Sequence, residues 1–140
     1  MQRVIIDSDL FSDLVKQINK SVEANFNAYQ LEHAAITITS MSALEVLSGL
    51  KHIQATAKLK RAEMLFAENE EIVPELEDYR LASDIIGALW RAGTPIGLVD
   101  PLIAACAIRR GLGVASANTA HFEFIHKVGF GFHLENWRDP

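Results

Sequence analysis

Cysteine is nearly absent: Cys106 is the single thiol among 140 residues, so no internal disulfide can form. It sits inside the apolar run Leu102–Ile108, reads as a small buried hydrophobe and suits a reducing compartment. The five histidines, His33, His52, His121, His126 and His133, show no zinc-ligand spacing with it, and surface or packing roles are expected for them. No stretch approaches the roughly 20 apolar residues of a membrane span, and the N-terminus lacks the apolar core of a secretion signal, so a cytoplasmic protein is expected. Positive charge is scarce as well. A formal net charge of -5 gives no general attraction to polyanions, so contact with a nucleic acid would need a local basic patch or a bound cation. No linker, internal repeat or low-complexity tract interrupts the chain.

What is present is enough apolar material, 49% of residues, for one continuous core, and a single domain over residues 1–140 is expected. Strand-like segments at Arg3–Ile6, Ala35–Thr39, Glu71–Val73 and Val114–Ser116 alternate with helical spacing. The predicted helices are Leu10–Asn19, Ser21–His33, Met41–Leu50 ending near Gly49, Gln54–Glu68, a long one reaching Gly93, Pro101–Arg110 closed by Gly111, and Thr119–His126. Gly129–Trp137 reads as a last edge strand or extended segment. This order predicts an α/β domain with a mostly parallel central sheet of about four or five strands between helical layers.

Val4-Ile5-Ile6 followed by Asp7-Ser8-Asp9 is a buried strand delivering carboxylates to its end, where open α/β sheets hold their ligands. Glu45 near the start of the third helix, Asp100 before the Pro101 helix and Asn118 after Val114–Ser116 fall at comparable places. In a parallel sheet with short crossovers these four converge on one edge. Carboxylates crowded together raise one another's pKa, and a hard divalent cation, Mg²⁺ or Mn²⁺, is the usual remedy. One such ion, or two about 4 Å apart, suits phosphodiester hydrolysis. Helix capping accounts for the same residues: Ser42-Ala43-Leu44-Glu45 matches a capping box, Asp100-Pro101 a cap before an N1 proline, and Asp7 and Asn118 are good caps. Pattern alone leaves both readings open.

Three segments, Val4-Ile5-Ile6-Asp7-Ser8-Asp9-Leu10, Thr39-Ser40-Met41-Ser42-Ala43-Leu44-Glu45-Val46 and Pro95-Ile96-Gly97-Leu98-Val99-Asp100-Pro101-Leu102-Ile103-Ala104-Ala105, resemble in that order the PIN domain, above all the VapC-like toxins of toxin–antitoxin pairs. Ser116-Ala117-Asn118-Thr119-Ala120-His121-Phe122 and Leu134-Glu135-Asn136-Trp137 resemble the family's closing segments. The resemblance spans nearly the whole chain and implies a three-layer α/β/α fold and a metal-dependent endoribonuclease. By it, Asp7, Glu45 and Asp100 match the acids that bind Mg²⁺ or Mn²⁺, and Asn118 stands where many members carry a fourth acid. Ser8 and Ser116 match small hydroxyl positions lining the site. Asp9, where relatives often have asparagine, is expected to restore part of the charge that Asn118 lacks. The resemblance also implies a homodimer and silencing by a VapB-like antitoxin.

Lys51, His52, Lys58, Lys60 and Arg61 form the densest basic stretch and could guide RNA phosphates, or be a solvated helix face. Leu44, Val46, Leu47, Leu50, Leu59, Leu65 and Phe66 could serve a partner surface or ordinary packing. Two other functions fit parts of the pattern. A haloacid-dehalogenase-type phosphatase also begins with two aspartates one residue apart, but it wants a downstream lysine and a late acidic pair; after Arg91 the only lysine is Lys127, and Asp100 has no acidic neighbour. A PIN-like binding module acting through a protein partner, its metal site weakened by Asn118, is the other.

Overall fold

Val4–Ile6 forms β1, whose three side chains are fully buried, as a strand flanked by helices on both faces requires. In this computed structural model, which describes residues 1–139, β1 is the central strand of a five-stranded, wholly parallel sheet. It pairs with β2 (Thr37–Thr39) on one side, which pairs in turn with β3 (Glu70–Ile72). On the other side β1 pairs with β4 (Gly113–Ser116), and β4 with β5 (Leu134–Asn136). The order β3-β2-β1-β4-β5 reverses direction at β1, so the end of β1 lies at the switch point where such sheets open a crevice.

Seven helices cover the two faces. Val4 and Ile6 point into a core shared with α1 (Ser8–Lys16), α2 (Lys20–His33), α3 (Ser40–His52) and α4 (Thr56–Glu68). Ile5 points the other way, into a core built with α5 (Leu76–Arg91), α6 (Val99–Arg110) and α7 (Ala120–Lys127). This alternation along one strand is the period-two signature of a three-layer sandwich. The expected architecture is therefore the observed one, with the tail supplying a fifth paired strand.

Two local features hold the second half together. Asp78 is fully buried at the start of α5 and accepts hydrogen bonds from Arg109 and Arg110 at 2.8 Å, tying α5 to the end of α6. Burial alone would raise its pKa, but the Arg110, Glu75 N–H and Arg109 hydrogen bonds outweigh that and hold it below the usual carboxylate range. At Gly113 an added Cβ would stand 2.9 Å from the His133 carbonyl oxygen, so the close approach of β4 to the tail needs glycine.

Boundaries differ from the sequence reading in three instructive places. Helix α3 runs through Gly49 to His52, so that glycine is a bare stretch of helix wall. It also follows β2 without a loop, and Thr39 is its N-cap, accepting from the Ser42 N–H at 3.3 Å. Of the two readings left open for Glu45, the capping box at Ser42–Glu45 does not form, because Glu45 lies too far inside the helix to reach back. Helix α6 starts at Val99 with Leu98 at the N-cap, so Asp100 sits inside the first turn and caps nothing. Its carboxylate is left for another use.

Candidate active site

Asp7 is both a cap and a buried acid. As N-cap of α1 its Oδ1 accepts from the Leu10 N–H at 2.9 Å, while its Oδ2 accepts from the Ser116 hydroxyl at 2.6 Å. It is only 2% exposed. Burial pushes its pKa up to about 7; the Ser116 and Leu10 bonds oppose that, and the charges of Asp100 and Asp9 add to it. Ser116, at the end of β4, also accepts from the Asn118 N–H at 2.9 Å and lies 2.7 Å from the Asn118 carbonyl oxygen.

Glu45 reaches the same edge from α3, one helical turn past Met41. Ser8 Oγ donates to its Oε1 at 2.5 Å and lies 3.0 Å from Ser42 Oγ, so a hydroxyl chain from Thr39 and Ser42 positions the contact. Asp100 arrives from α6 and is three-quarters buried, with 21% of its side chain exposed. Burial raises its pKa, the His121 contact lowers it, and the charges of Asp9 and Glu45 raise it again. Asp7, Asp9, Glu45 and Asp100 thus share one electrostatic neighbourhood. Among the described residues none of them has a lysine or arginine ion-pair partner.

Asp9 and Glu45 stand where two cavities meet, Asp100 lines one of them, and Asp7 is buried and lines neither. One, of about 210 Å³, is lined by Ser8, Asp9, Glu45, Asp100, His121 and the Ile96–Val99 loop. The other, of about 300 Å³, again includes Ser8, Asp9 and Glu45 and extends past Ser12, Lys16, Gly49 and Ile53. Together they give a trough running to both sides of the carboxylates, a shape suited to an extended chain.

The donors are all hard oxygens from three different elements, and the charges around Asp7 and Asp100 raise the pKa of both, which is the chemistry a divalent cation satisfies. Among the described residues, no group of three acid, histidine or cysteine side chains closes on a common point. Each acid is turned instead toward a neutral or basic partner: Asp7 to Ser116, Glu45 to Ser8, Asp100 to His121.

Other sequence candidates lie further out. Asn118 is exposed, its Oδ1 accepts from the Ala120 N–H at 3.3 Å, and it lines neither cavity. Lys51, Lys58 and Lys60 are exposed on α3 and α4 outside both cavities, and Arg61 lines a separate one beside α2. Of the apolar residues of α3 and α4, Val46 and Leu50 are buried, Leu47, Leu59, Leu65 and Phe66 pack against the core, and Leu44 is exposed, as is Met64 on α4. Two residues at the cavities escaped the sequence reading. His121 is exposed on α7, as expected of a helix-surface residue, and its Nδ1 also lies 2.8 Å from Asp100 Oδ2, a contact that the sequence reading did not anticipate. Lys16 ends an ordinary amphipathic helix and carries no signal of its own.

The carboxylate edge at the switch point of this parallel sheet is the candidate active site of the fold, and comparison with known proteins gives the family. The sequence model of the PIN domain matches residues 4–127, and the chain belongs to that family. It is 29% identical over 144 residues to the tRNA(fMet)-specific endonuclease VapC of Shigella flexneri, covering 98% of this chain and 99% of that protein. The VapC of the same description from Salmonella typhimurium is 26% identical over 138 residues, with the same coverage. Among solved structures, the DNA-bound VapBC complex of Salmonella typhimurium contains a chain that superposes with a TM-score of 0.80 at 25% identity, over 98% of this chain and 99% of that one. A chain of FitAcB from Neisseria gonorrhoeae has the same fold, with a TM-score of 0.73 at 17% identity. The phosphatase alternative falls with this assignment.

Proposed function

We propose that this protein is a metal-dependent endoribonuclease and the toxin of a VapBC-type pair, hydrolysing RNA phosphodiester bonds. The observation that carries the reading is Asp7: a carboxylate buried at the end of the central strand, pushed to a pKa of about 7, with Asp100 and Asp9 adding to the shift. A buried charge in that position is poorly stabilised unless a cation joins it.

In this reading Asp7, Glu45 and Asp100 hold Mg²⁺ or Mn²⁺. The ion supplies a Lewis acid for the scissile phosphate and makes an attacking water more acidic. The chain's own work is positional. Ser116 and the Leu10 N–H fix both Asp7 oxygens, Ser8 aims Glu45, and Asp9 adds negative potential that partly replaces the acid absent at Asn118. No side-chain nucleophile is needed. RNA lies along the trough, with Lys16 meeting a phosphate beside the acids, while Lys51, Lys58, Lys60 and Arg61 guide the strand from further away. The curated relatives are described as acting on initiator tRNA, which makes tRNA the first substrate class to try here.

A cytoplasmic homodimer restrained by a VapB-like antitoxin completes the proposal. VapBC complexes among the structural relatives support the partner. No helix of the described residues is long and apolar enough to cross a membrane. For the dimer, an apolar hollow lined by Met41, Tyr79, Ala82, Ile86, Leu98 and Leu102 offers a face on α5 and α6. A second reading, a weakened module that binds but does not cut, is favoured by Asn118, whose side-chain oxygen is engaged in its own turn. Incubating purified protein with tRNA separates them: metal-dependent fragments support the nuclease, and complex formation with intact RNA under Mg²⁺ and Mn²⁺ supports the module.

A further inference from the structure

The contact between His121 and Asp100 has the spacing of two ligands to one metal ion. Two donors bound at roughly 2.1 Å and at right angles stand roughly 3 Å apart. Nδ1 of His121 and Oδ2 of Asp100 are 2.8 Å apart, and both side chains line the cavity that also contains Asp9 and Glu45. An ion bound to both would sit beside the line that joins them, reached by a turn of the imidazole. The imidazole is half exposed, and its Nε2 has no hydrogen-bond partner among the described residues, so the Asp100 contact is the one hydrogen bond that a turn of the ring gives up.

We propose that His121 is a nitrogen ligand of the ion held by Asp7, Glu45 and Asp100, giving a mixed nitrogen–oxygen site. This rests on the metal-dependent reading of the same cluster. The consequence is metal preference. Mg²⁺ prefers an all-oxygen octahedron and keeps its waters, whereas imidazole suits transition-metal ions, so His121 shifts the site toward Mn²⁺. It also supplies a donor on α7, the helix whose preceding loop holds Asn118 away from the cavities.

The rival account of the 2.8 Å contact is an ion pair in which His121 only neutralises Asp100, and the two accounts predict opposite signs. Mn²⁺ and Mg²⁺ binding would be measured by calorimetry on wild type, His121→Ala and Asp100→Asn, with pulsed electron paramagnetic resonance of bound Mn²⁺ and thermal unfolding to confirm folding. The proposal expects nitrogen-14 coupling to Mn²⁺ in wild type that disappears in His121→Ala. It also expects about tenfold weaker Mn²⁺ binding in that variant, with a distinctly smaller loss for Mg²⁺. Absence of nitrogen coupling in Mn²⁺-loaded wild type, or equal or tighter Mn²⁺ binding by His121→Ala, overturns it. Failure of wild type to bind either ion would overturn the metal-dependent reading itself, which the first two outcomes leave standing.

Discussion

Ser116 Oγ and Asp7 Oδ2, 109 residues apart in the chain, are 2.6 Å apart across neighbouring parallel strands. The hydroxyl donates its one proton to a carboxylate that burial disfavours, and the Leu10 N–H holds the other oxygen. This bond sets how easily Asp7 ionises, hence how readily it takes a cation near neutral pH.

Ser116→Ala therefore raises the Asp7 pKa further, since a hydrogen bond that favours the charged form is gone. At subsaturating metal, cleavage by wild type should rise with pH through about 7, and in Ser116→Ala the rise should move up by about one unit, with excess Mn²⁺ restoring part of the rate. A pH–rate profile checks this. An unmoved profile would mean that the Ser116 bond does not govern the ionisation that limits activity.

Asp7→Asn should abolish cleavage and stabilise the metal-free fold. The amide oxygen can accept from Leu10, and its nitrogen can donate to Ser116 Oγ, which turns its proton to the Asn118 carbonyl oxygen 2.7 Å away. With the Asp7 pKa raised from 3.8 to about 7, folded wild type loses stability as pH rises between those values and stays at the lower level above them. Urea unfolding in EDTA should find the variant more stable by on the order of 2 kcal/mol at pH 8, converging with wild type near pH 4. Equal stability at pH 8 would refute the buried-charge argument.

Much of this site was legible because short parallel strands end where helices begin. Val4-Ile5-Ile6-Asp7 reads directly as strand then acid, and the position of Asp100 follows from the helix after Gly97. The part that failed concerned caps. Ser42-Ala43-Leu44-Glu45 looks like a capping box, but β2 passes into α3 without a loop and Thr39 takes the cap, a junction that local spacing does not reveal. His121 was illegible for another reason. Its partner Asp100 lies 21 residues away on another helix, and the turn at Asn118 determines how α7 presents the ring.

Lys16→Glu should weaken RNA binding about five- to tenfold, the effect of one charge-assisted phosphate contact, while leaving kcat close to wild type. Lys58→Glu combined with Lys60→Glu should lower the association rate and flatten its salt dependence if the α4 face guides the strand. Time-resolved filter binding across a salt series in a catalytically silent Asp100→Asn background reads affinity and association rate, and steady-state cleavage without that substitution reads kcat. Unchanged affinity in Lys16→Glu would remove it from the substrate path.

Asp78→Ala leaves Arg109 and Arg110 without the buried carboxylate that joins α5 to α6, and should cost about 3 to 5 kcal/mol in urea unfolding at pH 7. Because the Asp78 pKa is depressed in the fold, its contribution is present above the ordinary aspartate pKa and disappears as pH falls below it, so the gap between variant and wild type should narrow in acid. A gap that does not change with pH would show that packing, rather than charge, is what the substitution removes.

The most direct test of the central claim is cleavage of a mixed tRNA and rRNA pool by purified protein in Mg²⁺, in Mn²⁺ and in EDTA, beside Asp100→Asn. Discrete fragments that require a divalent ion and vanish in the variant are the predicted result. RNA left intact under every condition by folded wild-type protein, or cut equally well by Asp100→Asn, would contradict the account.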